Sequence, residues 1–275
     1  LKCSSNGIRE MTQTTNEPTR ILVLGGTGFV GLELCRQALA LGWVVVAVSR
    51  RGPSARITAD PLFASIDWQQ GDATKAGTIE QIIKTKGPFT AVFHAIGALF
   101  DGTSSLRSMN KIVSAAGSVV DEGVSYDDLT RKTALALLAA TEAACPPQTP
   151  YIFLSAAEAG WPDVTCGSFI DKFVAPNFLK RYLTAKRAVE AKLLGSERVR
   201  GIILRPSFIW NWGKLDILLP VCLYTMVSCL PFIDRPVRVE MVVASAIAAI
   251  EQPNVRGVKD AKAMRSLAAS PLKNQ

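Results

Sequence analysis

The stretch ILVLGGTGFVG, residues 21–31, places four apolar residues directly before a series of glycines at positions 25, 28 and 31. The first glycine permits a tight turn after a strand, the second lets the backbone approach a phosphate group, and the third lets the following helix pack against the sheet. A helix that begins near Phe29 would present its free N–H groups and the positive end of its dipole to an anion. The stretch therefore predicts a nucleotide-binding loop, with a purely structural turn as the alternative.

Apolar runs alternate with helical periodicity along the first two-thirds of the chain. The predicted strands lie at 20–24, 43–48, 64–67, 90–94, 150–155 and 200–205, and the predicted helices at 29–41, 77–85, 126–144 and 177–195. Strands and helices in alternation specify a parallel sheet with helices on both faces. We therefore predict an α/β fold with a doubly wound parallel sheet of Rossmann type. Residues 1–19 are expected to be an N-terminal extension, 20–206 a dinucleotide-binding domain, and 207–275 a small C-terminal lobe and tail.

Composition limits the kinds of site and partner that we expect. The 275 residues are 48% hydrophobic, enough for one substantial core, and carry a net charge of +8, which favours anionic partners. Six cysteines without CxxC spacing and a single histidine, His94, make no recognisable metal site. We expect reduced, mostly buried thiols and hence a reducing compartment.

Three segments lie outside the regular pattern. Residues 1–20 are rich in Ser, Thr and Asn, which is typical of the remnant of an organellar presequence or, alternatively, of a trimmed sequence. The uncharged run at 217–233 contains a proline and is expected to be a buried helix of the C-terminal lobe, or else a segment resting on a membrane surface, but not a spanning helix. The long connection after the strand at 90–94 is expected to lie over the carboxyl edge of the sheet, where ligands bind in this architecture.

The second predicted strand ends in Ser49, Arg50 and Arg51, at the position where an NAD site usually places an acidic residue against the ribose. Serine and arginine would instead accept a 2′-phosphate through hydrogen bonds and charge pairing. This end of the strand therefore predicts NADP(H), with a solvated basic turn as the alternative. Asp72, in GDAT after the third predicted strand, is placed either to bound an adenine pocket or to cap a helix.

Tyr182 and Lys186 are four residues apart, so on a helix they share one face. A lysine beside a tyrosine lowers the pKa of the phenol and can hold the nicotinamide ribose. The tyrosine would then act as a general acid or base at neutral pH.

The order of these motifs resembles the short-chain dehydrogenase/reductase (SDR) superfamily over residues 20–250. The motifs that carry the resemblance are GGTGFVG, SRRG, GDAT, FHAIG, the Tyr182/Lys186 pair and LRPSFIW at 204–210. SRRG, FHAIG, AKRAVEAKLL and PVRVEMVVASAI further resemble an atypical branch of the superfamily. That branch includes the NADPH-binding accessory subunit of mitochondrial respiratory complex I, the accessory protein of coenzyme Q biosynthesis, and plastid relatives.

The resemblance implies a role for each matching residue. It implies a phosphate-binding loop, contacts to the 2′-phosphate and adenine, a strand end beside the adenosine ribose, and two residues at the nicotinamide. In that order these are Gly25, Thr27, Gly28, Phe29, Val30 and Gly31; Ser49, Arg50 and Arg51; Asp72; Ala95, Ile96 and Gly97; and Lys186 and Pro206. The implied catalytic residues are Tyr182, Lys186 and Ser155.

Ser155 is where the chain departs from the pattern of active members. Those members place a serine or threonine just past the fifth strand, beside the tyrosine, and here that position falls more naturally on Ala156 or Ala157. Losing such a donor typically costs about a hundredfold to a thousandfold in rate. We therefore expect the protein to bind a cofactor, and the sequence leaves open whether it catalyses a reaction.

Three functions follow from these observations. The first is an NADP(H)-binding accessory subunit of a membrane complex, on the matrix side of the mitochondrial inner membrane or alternatively in a plastid. It would serve respiratory complex I or quinone (ubiquinone) metabolism with a mainly structural cofactor, and would contact protein partners, lipid or quinone. The second is an active NADPH-dependent reductase of a quinone or isoprenoid carbonyl. The third is RNA binding, which the dispersed basic residues do not favour.

Overall fold

A computed structural model describes residues 18–98, 100, 102–103, 120–213, 221–222, 225–226, 228 and 233–270. Nine strands occur in this part of the chain: β1 Arg20–Leu24, β2 Val44–Ser49, β3 Asp67–Gln70, β4 Ala91–His94, β5 Thr149–Leu154, β6 Val199–Leu204, β7 Ile209–Trp210, β8 Val237–Arg238 and β9 Gly257–Lys259. Six helices of eight residues or more accompany them: α1 Phe29–Ala40, α2 Thr78–Lys86, α3 Thr133–Ala144, α4 Asn177–Leu194, α5 Val239–Glu251 and α6 Ala261–Ala268. Short helical turns lie at Ala55–Thr58, Pro61–Phe63, Asp127–Lys132, Ala157–Asp163, Gly167–Phe169 and Ile170–Val174.

Seven of these strands form one parallel sheet in the order β3-β2-β1-β4-β5-β6-β9. Leu24 at the end of β1 pairs with Val48 on one side and His94 on the other. The chain therefore winds outward in opposite directions from β1 and β4, and the gap beyond their carboxyl ends is the place where doubly wound sheets bind ligands. The prediction of a doubly wound α/β fold is confirmed.

Both faces of the sheet are covered, as the apolar strands require. Helices α1, α5 and α6 pack on one face through a core that includes Leu34, Val242 and Met264. Helices α2, α3 and α4 cover the other face. The two layers fix the strand ends at a single edge and leave the loops above that edge to build the site.

Much of the C-terminal region, which we predicted to be a small lobe, packs with the main sheet. Strand β9 pairs with β6 in the main sheet, and helices α5 and α6 belong to the core that also contains α1. Residues 239–268 thus complete the doubly wound fold. Among the remaining residues, β7 and β8 pair with each other outside the main sheet.

The third strand also lies later than predicted, at Asp67–Gln70 rather than 64–67. A helical turn at Pro61–Phe63 precedes it, and the polar strand forms because Val46 to Ser49 of β2 supply its ladder partners. An edge strand tolerates polar side chains because one side of it faces water.

Several expectations fall largely outside the described residues, namely the N-terminal extension, most of the connection after β4 and most of the apolar run at 217–233. Within the described residues, the helices are too short or too polar to span a bilayer. The four cysteines in this part of the chain are free thiols; Cys35 and Cys145 are buried, whereas Cys166 and Cys222 are exposed, so the expectation of mostly buried thiols holds for two of the four.

Candidate functional site

The glycine loop joins β1 to α1 at the carboxyl edge of the sheet. Gly25 has a φ of +91°, and its N–H donates to the Val48 carbonyl at 2.8 Å. Gly28 is the N-cap residue of helix α1 and has no side chain to cap it, and the first turn of that helix carries no acidic residue. The positive end of α1 therefore points toward the loop, which is an arrangement suited to an anion.

A first cavity of about 200 Å³ opens beside this loop. It brings together residues that the sequence predicted for the cofactor: Gly25, Thr27, Gly28, Ser49, Arg50, Arg51, Asp72, Ala95, Ile96 and Gly97. These residues come from the ends of four neighbouring strands, so their proximity follows from the parallel sheet. Gly31 lies outside the cavity wall, and a Cβ atom there would be 2.2 Å from the Gly25 carbonyl oxygen.

The end of β2 supplies the polar wall of the first cavity. The Ser49 hydroxyl is buried and finds no hydrogen-bond partner among the described residues. Arg50 and Arg51 both pair with Asp121, which approaches from the far end of the connection after β4. A buried hydroxyl without a partner beside two arginines fits a phosphate-bearing ribose. The phosphate could accept a hydrogen bond from Ser49 and could take the place of Asp121 against the two guanidinium groups.

Asp72 lies in the wall of the first cavity and also stabilises a local turn. Its carboxylate accepts hydrogen bonds from the Thr74 N–H at 3.0 Å and from the Thr74 hydroxyl at 2.8 Å. Helix α2 begins only at Thr78, so Asp72 caps the turn that precedes the helix rather than the helix itself.

A second cavity of about 490 Å³ adjoins the first, and Ala95, Gly97 and Ala98 line both. Its walls contain the remaining predicted site residues: Phe29, Val30, Ser155, Tyr182, Lys186 and Pro206. Most of the other lining residues are apolar, among them Trp161, Phe178 and Phe208. The two cavities form neighbouring compartments along the edge of the sheet.

Lys186 is buried at the junction of the two cavities. Its ammonium group donates to the Leu154 carbonyl at 2.5 Å and lies 4.9 Å from the centre of the Phe153 ring. Burial lowers the pKa of Lys186 to about 7, although the Glu190 carboxylate acts in the opposite direction. A Cβ atom at Gly97, beyond the end of β4, would be 3.7 Å from this ammonium, so the lysine head lies beside a residue that lines both cavities.

Tyr182 shares the second cavity with Lys186 but differs in pKa from the expectation. Burial raises the pKa of its phenol above the usual value, and the Glu158 carboxylate and Tyr126 add to that shift. We expected Lys186 to lower this pKa. The lysine ammonium instead lies 5.5 Å from the centre of the Tyr182 ring and donates to a backbone carbonyl, so its charge does not act mainly on the phenol.

The Ser155 hydroxyl is held by an acidic residue that the sequence did not reveal. It donates to Glu190 Oε1 at 2.5 Å, and Arg205 clamps the same carboxylate with bonds of 3.0 and 2.6 Å. Ala156 follows in the wall of the second cavity, where a hydroxyl would otherwise stand. The spacing of Glu190 four residues after Lys186 could have indicated this network, because both side chains lie on one face of α4.

His94 ends β4 beneath the same junction and is fully buried. Its Nε2 atom lies 2.8 Å from the Thr133 hydroxyl, and Nδ1 has no partner among the described residues. Burial, with a smaller contribution from the nearby Lys186 charge, lowers the pKa of His94 to about 3. The imidazole is therefore neutral at physiological pH.

His94 gives a testable pH dependence because it is the chain's single histidine. An unfolded histidine gains a proton near pH 6.5, whereas the folded one stays neutral to about pH 3. The stability contribution is complete above pH 6.5 and falls as pH decreases, by about 1.4 kcal/mol per pH unit. The imidazole NMR signal of the folded protein should not titrate between pH 8 and pH 5. The urea-unfolded chain is the control, and a folded-state midpoint near 6.5 would contradict the burial argument.

The parallel sheet and the glycine loop after its first strand define a Rossmann-type fold. Residues 21–121, which run from β1 through the connection after β4, match the NAD dependent epimerase/dehydratase family. This match covers the glycine loop and the strand ends that line the first cavity. It therefore concerns the first cavity rather than the second.

Two relatives match over most of the chain. A chloroplastic, uncharacterized protein from Arabidopsis thaliana is 28% identical over 200 residues, which are 72% of this chain and 53% of the relative. MIOREX complex component 2 from Saccharomyces cerevisiae is 23% identical over 221 residues, 70% of this chain and 73% of the relative. The chain thus spans about half the length of the plant relative.

Solved structures with the same fold include nicotinamide cofactor complexes. A short-chain type dehydrogenase/reductase from Mycobacterium ulcerans superposes with a TM-score of 0.61 at 18% identity, covering 90% of each chain. A UDP-glucose 4-epimerase from Thermus thermophilus in complex with NAD has a TM-score of 0.57 at 16% identity, covering 91% of this chain and 81% of that one. A small-chain dehydrogenase in complex with NADPH has a TM-score of 0.58 at 15% identity, covering 91% and 99%. At these identities the likeness establishes the fold, and neighbours of this fold bind NAD or NADPH.

Proposed function

We propose that the protein binds NADP(H) in the first cavity and serves as an accessory component of an organellar membrane complex, with the cofactor mainly structural. The observation that carries the proposal is the buried, unpartnered hydroxyl of Ser49 beside Arg50 and Arg51. An NAD site would usually place an acidic side chain at this strand end instead. The placement of two positive charges there favours the cofactor that carries the extra phosphate.

Different residues along the edge of the sheet would contact different parts of the cofactor. The backbone around Gly25, Thr27 and Gly28 would hold the pyrophosphate, Ser49 and Arg50 the 2′-phosphate, and the wall near Asp72 and Ile96 the adenine side. At the other end, Lys186 and Pro206 would contact the nicotinamide half. NADPH supplies a hydride when it is bound, and saturation at a hundred times its dissociation constant adds about 2.7 kcal/mol of stability.

The polar groups of the second cavity favour a protein that binds the cofactor without catalysing a reaction. The Ser155 hydroxyl already donates to Glu190, so it is not free to donate to a substrate oxygen. The raised pKa of Tyr182 makes the phenol a poorer proton donor near neutral pH. Ala156 adds no donor of its own.

The accessory role draws on the names of the relatives and on the resemblance. The yeast relative is named as a component of a complex, and the plant relative is chloroplastic. The atypical SDR branch that the chain resembles adds the mitochondrial inner membrane, with respiratory complex I or quinone metabolism as the setting. We therefore propose a mitochondrial or plastid location.

Cofactor choice is tested at the end of β2. We expect NADPH to bind more tightly than NADH, and Arg50→Leu to weaken NADPH about tenfold while leaving NADH unchanged, because one charge-assisted contact is lost. Asp121→Asn should tighten NADPH, since Asp121 competes for the same arginines. Titration calorimetry measures both effects. Arg56→Leu, on the exposed turn Ala55–Thr58, is the matched control. Equal loss of both cofactors in Arg50→Leu would contradict the assignment.

A second candidate is an active reductase, and the second cavity is the observation that favours it. That cavity is large and mostly apolar, and it contains both Tyr182 and Lys186. As a reductase, the protein would use Tyr182 to donate a proton to a carbonyl or quinone oxygen. Lys186 would position the Tyr182 phenol. NADPH consumption across a panel of apolar carbonyls and quinones is the measurement, and Tyr182→Phe should lower turnover without changing NADPH affinity. Tight NADPH binding with no turnover on the panel would count against it.

A further inference from the structure

Exposed apolar side chains are concentrated on the turns between β5 and α4. Eight large apolar residues are exposed within the part of the chain that the structure describes, and four of them lie at 164–174. We call these four the aromatic patch: Val164, Phe169, Phe173 and Val174, exposed by 41%, 58%, 65% and 58%. The two phenylalanine rings are 5.1 Å apart. Single exposed apolar residues are ordinary, but a contiguous group marks an interaction surface.

Basic side chains border the aromatic patch. The Lys172 ammonium lies 5.3 Å from the centre of the Phe173 ring, and the Lys180 ammonium donates to the Lys172 carbonyl at 2.8 Å. The nearby carboxylates have other partners: Asp171 pairs with Arg187 at 2.9 Å, and Asp163 lies 3.7 Å from Arg205. Positive charge therefore accompanies the exposed rings, and the chain as a whole carries +8.

The segment that carries the aromatic patch also contributes to a small apolar core beside the second cavity. That core includes Trp161 and has Ile170, Leu179 and Tyr182 packed against it. Ile170 directly follows the exposed Phe169 in sequence, and Trp161, Leu179 and Tyr182 line the second cavity.

We propose that the aromatic patch docks the protein on the surface of a lipid bilayer that contains anionic headgroups. Two rings and two valines on short turns are too small for a stable protein interface, which takes about 800 Å² from each partner. A few aromatic side chains flanked by lysines suit the boundary between headgroups and acyl chains. In this placement the Lys172 ammonium, which lies over the Phe173 ring, would meet lipid phosphates at the same depth as the rings. This inference rests on the proposed function and deepens it by naming the surface that meets the membrane.

Vesicle binding tests the proposal with the full chain. The wild-type protein should co-sediment with vesicles of phosphatidylcholine and phosphatidylglycerol, and more weakly with phosphatidylcholine alone. Phe169→Ser combined with Phe173→Ser should weaken binding at least about tenfold, because two rings lose their burial in lipid. Leu62→Ser combined with Leu194→Ser is the matched control, since those leucines are 45% and 55% exposed elsewhere on the surface. Lys172→Glu should weaken binding to anionic vesicles and have little effect on neutral ones.

Three results would overturn the proposal. These are absence of vesicle binding by the wild-type chain, wild-type-like binding by the double phenylalanine variant, and a lipid-free oligomer that this variant dissociates in gel filtration. The last result would make the patch an interface between copies. Melting temperature and NADPH affinity are measured on each variant to confirm folding. Unchanged NADPH binding with lost vesicle binding supports the patch, whereas absent NADPH binding with intact vesicle binding contradicts only the proposed cofactor function.

Discussion

Replacing Gly31 with alanine is expected to destabilise the fold and disable the cofactor loop together. The added Cβ atom would lie 2.2 Å from the Gly25 carbonyl oxygen and 2.9 Å from the Gly25 carbonyl carbon. Backbone atoms cannot swing aside as a flexible side chain can, so α1 and the loop must move apart. Overpacking of this kind costs about 1–3 kcal/mol. Because Gly25 lines the first cavity, NADPH affinity should fall by about tenfold to a hundredfold.

Chemical denaturation and NADPH titration measure the two effects of Gly31→Ala. Gly195→Ala is the control, because Gly195 lies at the end of α4 with a φ of −84° and its added Cβ would lie 3.4 Å from the Ala191 carbonyl oxygen and 3.8 Å from that of Lys192. The control should be close to wild type in both assays. A Gly31→Ala protein with wild-type stability and NADPH affinity would show that α1 does not need to approach the loop so closely.

Removing the Arg205 guanidinium should be the most destabilising single change at the site. Glu190 is 4% exposed, and Arg205 supplies two hydrogen bonds to its carboxylate. Arg205→Ala leaves that carboxylate buried with Ser155 as its remaining short contact. Breaking a buried ion pair on one side typically costs about 3–5 kcal/mol, since the other charge stays desolvated. The free energy of unfolding in urea should fall by about that amount.

Two comparisons separate buried charge from simple truncation of an arginine. Arg36→Ala removes a salt bridge to Glu33 from the exposed face of α1 and should change stability by no more than about 1 kcal/mol. Combining Glu190→Gln with Arg205→Met removes both charges and should recover part of the stability lost in Arg205→Ala. Equally mild effects of Arg205→Ala and Arg36→Ala would contradict the argument that the Glu190–Arg205 ion pair is desolvated.

The buried network links the stability of the protein to the question of turnover. Glu190 accepts from Ser155 and Arg205 and also acts on the charge of Lys186. The same carboxylate that draws the serine hydroxyl away from the second cavity is thus fixed by the ion pair just described. A buried polar network whose members are all paired makes the wall of the second cavity rigid. Such rigidity fits the proposed function, in which the cofactor is mainly structural.

Features that depend on short spacing were predictable from the amino-acid sequence. Three glycines after an apolar run predicted the loop between β1 and α1, and alternating strands and helices predicted the doubly wound sheet. Ser49 and Arg50 could be placed at the ligand edge because a parallel sheet brings every strand end to that edge. The four-residue spacing of Tyr182 and Lys186 likewise placed both in one cavity, although it did not predict the pKa of the phenol.

Tertiary structure alone decided the contacts between distant segments. Asp121 reaches Arg50 across 71 positions of sequence, and Ser155 reaches Glu190 across 35. Strand β9 joins the main sheet because β6 offers it an open edge, which local periodicity cannot show. Burial, which sets the pKa values of His94, Tyr182 and Lys186, arises from packing by several elements at once. The sequence therefore predicted a cofactor site at the carboxyl edge of the sheet, and the folded chain determined which polar groups near that edge already have partners.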